Sequence, residues 1–94
     1  MRVRYTPRAK LDLAEIYDYI ARDNPQVARR VVSLIRREIK MLCDSPAIGR
    51  PGRIDGTREL VMGRYPFVVA YCTEPDEIQI VAVIHTAMQW PEVL

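Results

Sequence analysis

The sequence predicts an α+β domain of order β-α-α-β-β-β, with a helical hairpin packed on one face of a small, mainly antiparallel sheet. Three observations carry this reading. A cap residue followed by proline occurs twice, at Thr6-Pro7 and Asn24-Pro25, and each time an apolar stripe at helical spacing follows. Three β-prone segments then follow one another through the second half, separated by short turns. A further β-prone stretch, residues 3–6, precedes the first helix and is expected at the sheet edge.

Thr6 suits an N-cap because its hydroxyl can accept from one of the first helical amides. Pro7 lacks only an N–H that the first turn leaves unbonded in any case. Ala9, Leu13, Ile16, Tyr17 and Ile20 share one face of the first helix, which is expected to end near Asp23. Asn24-Pro25 opens the second helix, whose main stripe is Ala28, Val31, Val32, Ile35, Ile39 and Leu42. Val27, Leu34 and Met41 widen that stripe beyond what packing on one neighbour requires. The very short connection forces an antiparallel hairpin, which Ser45-Pro46 ends.

Residues 46–56 are a Pro/Gly-rich loop. The three strands are expected at 57–61, 67–73 and 78–85, with turns at 63–66 and 74–76 short enough for an antiparallel meander. Residues 78–84 are nearly all apolar, as in a central strand buried on both faces. With the helices on one face, the other face is the expected place for function, its mouth at the arginine-rich loop and the tail.

The length of 94 residues suits a single domain, residues 1–94. Net charge is only +2, yet the cations are unevenly used. Twelve of the fourteen are arginine, the residue suited to bidentate grip on phosphate or carboxylate. Arg50, Arg53, Arg58 and Arg64 fall in one fifteen-residue stretch, which permits a nucleic-acid or acidic-protein partner. The start, Met1 to Arg4, lacks the apolar run of a signal peptide, and no apolar segment approaches the roughly 18–20 residues of a membrane helix. A cytoplasmic protein without membrane contact is expected, with Cys43 and Cys72 as reduced thiols. One histidine, no paired-cysteine spacing, no phosphate loop and no dinucleotide fingerprint leave no metal or organic cofactor indicated.

Ala9-x-x-Asp12-Leu13-x-x-Ile16 with Tyr19-Ile20, then Pro46-x-x-Gly49-Arg50, open a series of motifs that spans nearly the whole chain. Gly56-Thr57-Arg58-Glu59-Leu60, Tyr65-Pro66-Phe67-Val68-Val69-x-Tyr71 and Ile78-x-Ile80-x-x-Val83-Ile84-His85 complete it. In this order and at this length the chain resembles the RelE/ParE toxin family. The resemblance implies the toxin of a type II toxin–antitoxin system, held inactive by a cognate antitoxin protein. It also implies one of two targets. A RelE-like toxin cleaves messenger RNA on the ribosome, a chemistry that needs phosphate clamps and a general acid or base. Arg58 and Arg64 would be the clamps, His85 the acid or base and Glu59 a spare base. A ParE-like toxin instead stalls DNA gyrase on cleaved DNA through a binding surface. The chain departs from the RelE-like branch in that its only lysines, Lys10 and Lys40, lie in the hairpin and no tyrosine follows His85. It resembles the ParE-like branch more, and an orphan binding module of the same fold is a third reading.

Arg50, Arg53 and Trp90 are the expected target contacts. Val27, Leu34 and Met41 are the expected antitoxin contacts, where an amphipathic, often acidic segment would lie along the hairpin. Each position also has a plain structural alternative. His85 can be a satisfied histidine at a strand end, and Arg50 and Arg53 can cap the helix C-terminus or bind nearby carbonyls. Arg29, Arg36 and Lys40, with Arg30 and Arg37 beside them, read as a solvated helix face. Tyr17, Tyr19 and Tyr71 sit where core packing is the default. Trp90, on a short tail, must either fold back or meet a partner.

Overall fold

The structure, a computed structural model, describes residues 1–86. Strand β1 (Arg2–Tyr5) leads into helices α1 (Pro7–Ala21) and α2 (Pro25–Met41), followed by strands β2 (Arg50–Pro51), β3 (Arg58–Val61), β4 (Phe67–Thr73) and β5 (Glu77–His85). Both expected caps are formed. Thr6 Oγ1 accepts from the Ala9 amide at 3.1 Å and Asn24 Oδ1 from the Val27 amide at 3.2 Å. Each cap residue is extended and each following proline opens its helix. The Thr6 hydroxyl also donates to the Val81 carbonyl at 3.0 Å, which fastens the start of α1 to β5.

The five strands form one sheet in the order β1-β5-β4-β3-β2. β1 pairs parallel with β5, Val3 opposite Ile78 and Tyr5 opposite Ile80, and every other pairing is antiparallel. β1 therefore occupies an edge, as expected. The opposite edge was not foreseen: Arg50 and Pro51, inside the Pro/Gly-rich loop, pair with Glu59 and Arg58 as a two-residue strand. Proline is tolerated there because an edge strand need not donate outward.

One core lies between the hairpin and the sheet. Ala9, Leu13, Val31, Ile35, Ile39 and Leu42 from the helices meet Phe67, Val69, Tyr71, Ile78, Ile80 and Val83. Fully burying a side chain such as Ile35 contributes about 1.5–3 kcal/mol, so a few such residues account for much of a small domain's stability. On the opposite face Ala70, Ala82 and Ile84 form a second, separate cluster. The register shifts between Ala70 and Tyr71, with Ala70 opposite Ala82 but Tyr71 opposite Ile80. One extra residue in β5 resets its alternation, so Ile78 and Ile80 face the helices before the bulge and Val83 after it. This explains why residues 78–84 read as nearly all apolar. It also corrects one expectation: the centre of the second sheet face, at Val68, Ala70, Ala82 and Ile84, is buried and is not an open functional surface.

Two tyrosine assignments divide. Tyr71 is fully buried, whereas Tyr19 is 71% exposed on α1. α1 ends at Ala21, short of Asp23. No helix among the described residues is long and apolar enough to cross a membrane.

Candidate functional site

The arginine-rich loop is held rigidly to the sheet. Glu59 projects from β3 to the face opposite the helices, in register with Ala70, and its side chain is only 2% exposed. Its Oε1 accepts from Arg50 Nε at 3.0 Å and forms an ion pair with Nη2 at 2.9 Å, and its Oε2 accepts from the Arg53 amide at 2.8 Å. A buried carboxylate is tolerated only with such partners. Glu59 therefore neither faces solvent nor stands free as a base. Arg58 Nη1 donates to the Gly49 carbonyl at 2.8 Å and to the Ala47 carbonyl at 3.3 Å. Arg58 thus makes the kind of carbonyl contact considered for Arg50 and Arg53. Tyr71 Oη completes the brace, accepting from the Gly49 amide and donating to the Pro46 carbonyl. Arg50 keeps 54% of its side chain exposed, and Arg53 is also at the surface of this fixed loop.

The three residues proposed from sequence for catalysis do not converge. Phe67 pairs with His85 whereas Arg58 pairs with Tyr71, four positions further along β4. At about 3.3 Å per residue the two levels are roughly 13 Å apart along the strand, before the lateral distance between β3 and β5 is added. Arg64, exposed in the turn after β3, shares the end of the sheet where His85 lies. The His85 ring meets Phe67 edge-on, with centroids 5.4 Å apart.

A cleft of about 350 Å³ opens at that end, between α1 and the sheet, lined mainly by Ile16, Tyr19, Ile20, Phe67, Val83 and His85, with Asp12 and Glu15 on its α1 side. β1 pairs only with residues 77–80, so β5 runs on past its edge neighbour. Asp12 takes over there: its Oδ2 accepts from the Val83 amide at 2.9 Å, and Arg8 pairs with the same carboxylate at 3.5 Å. The cleft was not singled out from sequence, although Asp12, Ile16, Tyr19 and Ile20 all stand in the first motif quoted above. The signal was an apolar stripe wider than the core could use.

The expected antitoxin row is divided. Val27 and Leu34 are half-buried and pack on the core, while Met41 is 62% exposed. Met41 lines a second apolar hollow of about 200 Å³ with Leu42, Ile48 and Leu60. Ile48, 66% exposed, was missed because it sits in a loop without periodicity. Trp90 lies outside the described residues.

Two further groups are displaced from their ordinary titration. Burial pushes the Cys72 thiol up, helped by the Glu74 carboxylate. Burial also raises Tyr5, against the lowering effect of the Arg36 guanidinium stacked 5.1 Å above its ring.

Comparison with known proteins gives a consistent result. The family model described as "ParE toxin of type II toxin-antitoxin system, parDE" matches residues 3–90. A protein of Sinorhizobium fredii called "Putative toxin Y4kP" is 45% identical over 93 residues, covering 99% of this chain and 96% of its own. A solved structure described as "Chromosomal ParDE TA system from P. aeruginosa" superposes with a TM-score of 0.81 at 32% identity, over 90% of this chain and 95% of that one.

Proposed function

Because the chain belongs to the ParE toxin family of type II toxin–antitoxin systems, we propose that it is a DNA gyrase poison held inactive by a cognate antitoxin protein. The observation that carries the choice of target is the engagement of Arg58. Its guanidinium holds the carbonyls of Ala47 and Gly49, and it stands four positions along β4 from the level of His85. A ribonuclease would need that cation beside the scissile phosphate, close to its acid or base. A poison needs only a rigid contact surface, and the braced loop carrying Arg50 and Arg53 supplies one.

The antitoxin docks in the apolar cleft between α1 and the end of β5, with Tyr19 and Ile16 as its main contacts. Met41 and Ile48 form a second point of contact. Val27 and Leu34 support these surfaces from beneath, since both already pack on the core. A wrapping segment with apolar anchors at both hollows matches a common mode of helix and peptide capture. The test is supercoiling by purified gyrase with increasing free toxin, then with antitoxin added back. Inhibition reversed by antitoxin supports the reading. Unimpaired supercoiling while a coupled translation reaction stops would transfer it to the mRNA-cleaving alternative.

A further inference from the structure

The second helix separates charge in a way the family reading does not use. α2 carries Arg29, Arg30, Arg36, Arg37 and Lys40 against one carboxylate, Glu38, a net +4. That leaves nine cations and eleven carboxylates, a net −2, for the rest of the chain. At 100° per residue the five cations fall within an arc of about 120°, centred on the side of the helix away from the core. The core side is Ala28, Val31, Ile35 and Ile39, all buried, and all five cations are exposed. From Arg29 to Lys40 the stripe runs roughly 16 Å at 1.5 Å per residue.

A merely solvated face normally intersperses carboxylates at i,i+4 to relieve repulsion. Here Arg36 and Lys40 are like charges at that spacing. Arg29, Arg30, Arg37 and Lys40 have no ion-pair partner among the described residues. Among the described residues no ion pair on this face offsets their repulsion. The residues interleaved in the arc are Gln26 and Ser33, both exposed and able to donate hydrogen bonds. Met41 lies at its margin and turns into the hollow with Ile48 and Leu60. A protein partner is held by buried apolar or aromatic anchors, and this arc has none. Unpaired bases need aromatic platforms, which it also lacks. Arginine with small hydrogen-bonding residues matches the contacts made to a phosphate backbone.

We propose that the outer face of α2 binds the phosphate backbone of duplex nucleic acid, through Arg29, Arg30, Arg36, Arg37 and Lys40. The interaction is independent of base sequence, and it does not depend on which target the toxin acts upon. With gyrase as target it would let the toxin grip DNA as well as the enzyme.

The experiment is fluorescence anisotropy of a 20-base-pair DNA duplex of arbitrary sequence with the full chain, free of antitoxin, across a fourfold range of salt. Each phosphate contact contributes a slope of about −0.9 to log K against log[salt], so five contacts weaken binding about 500-fold over that range. The variant Arg30→Gln/Arg37→Gln/Lys40→Gln, which leaves the Arg36–Tyr5 stack intact, should show only about a 12-fold loss, as for two contacts. A charge-matched control, Arg2→Gln/Lys10→Gln/Arg22→Gln, removes three exposed cations elsewhere and should keep the wild-type slope. Circular dichroism melts establish that both variants are folded. No duplex binding by the wild-type chain overturns the proposal. So does an equal change of slope in the two variants, or tighter binding to a single strand or a polyglutamate peptide than to the duplex.

Discussion

The phenol of Tyr71 sits under the backbone of Gly49, accepting its amide at 2.9 Å while donating to the Pro46 carbonyl at 2.8 Å. A Cβ on residue 49 would lie 2.5 Å from that oxygen, so the glycine and the hydroxyl require each other. Tyr71→Phe keeps the ring in the core and strands a buried amide. Urea denaturation should show a loss of about 1–3 kcal/mol. An unchanged midpoint would mean that water replaces the phenol and that the loop is not braced from the sheet.

Arg50 and Glu59 should be energetically coupled, and unequally exposed partners give the coupling a sign. Arg50→Ala leaves a buried carboxylate with the Arg53 amide alone, whereas Arg50 itself is half in water. The solvent exposure of Arg50 limits the expected cost to about 1–3 kcal/mol. In a Glu59→Gln background the same substitution should cost clearly less. Equal costs in both backgrounds, measured as a double-mutant cycle, would contradict the brace.

Antitoxin capture should depend on exposed apolar residues and not on the buried half of the hairpin stripe. Tyr19→Asp and Met41→Asp should each reduce co-purification with the antitoxin while changing stability by no more than about 0.5 kcal/mol, because both side chains are largely in solvent. Leu34→Asp should instead lower the melting temperature, since Leu34 packs on the core. Full retention of the antitoxin by both surface variants would remove the α1 cleft and the Met41 hollow from the assignment.

Alkali should weaken the fold. Cys72 and Tyr5 both titrate above their ordinary values of 9.0 and 10.0, chiefly through burial. Between the ordinary and the raised value the unfolded chain has released these protons and the folded chain has not. Stability therefore falls as pH rises above about 9. The urea midpoint should be lower at pH 10 than at pH 8, and Cys72→Ser should flatten part of that slope. A midpoint that rises with pH would reverse the sign.

Much of the architecture was legible because local chemistry and global fold agree. Thr6 and Asn24 cap, Pro7 and Pro25 start helices, and the two stripes bury. What escaped depends on tertiary partners. Glu59 reads as a spare base until Arg50 and the Arg53 amide arrive from a loop six to nine residues away. Arg58 reads as a free cation until the Gly49 carbonyl meets it. The β5 bulge resets an alternation that sequence shows only as an apolar run. Tyr19 lies in the apolar motif of α1 yet faces out, because at 100° per residue it falls about 120° round the helix from the buried Leu13.

The most direct measurement combines gyrase and ribosome readouts for the wild-type toxin and His85→Gln. Detergent-released, enzyme-linked cleaved DNA is quantified in one reaction and mRNA on programmed ribosomes in the other. The gyrase reading predicts that cleaved DNA accumulates with both proteins and that mRNA stays intact. Cut mRNA with wild type, lost in His85→Gln, alongside unaffected gyrase, would contradict it.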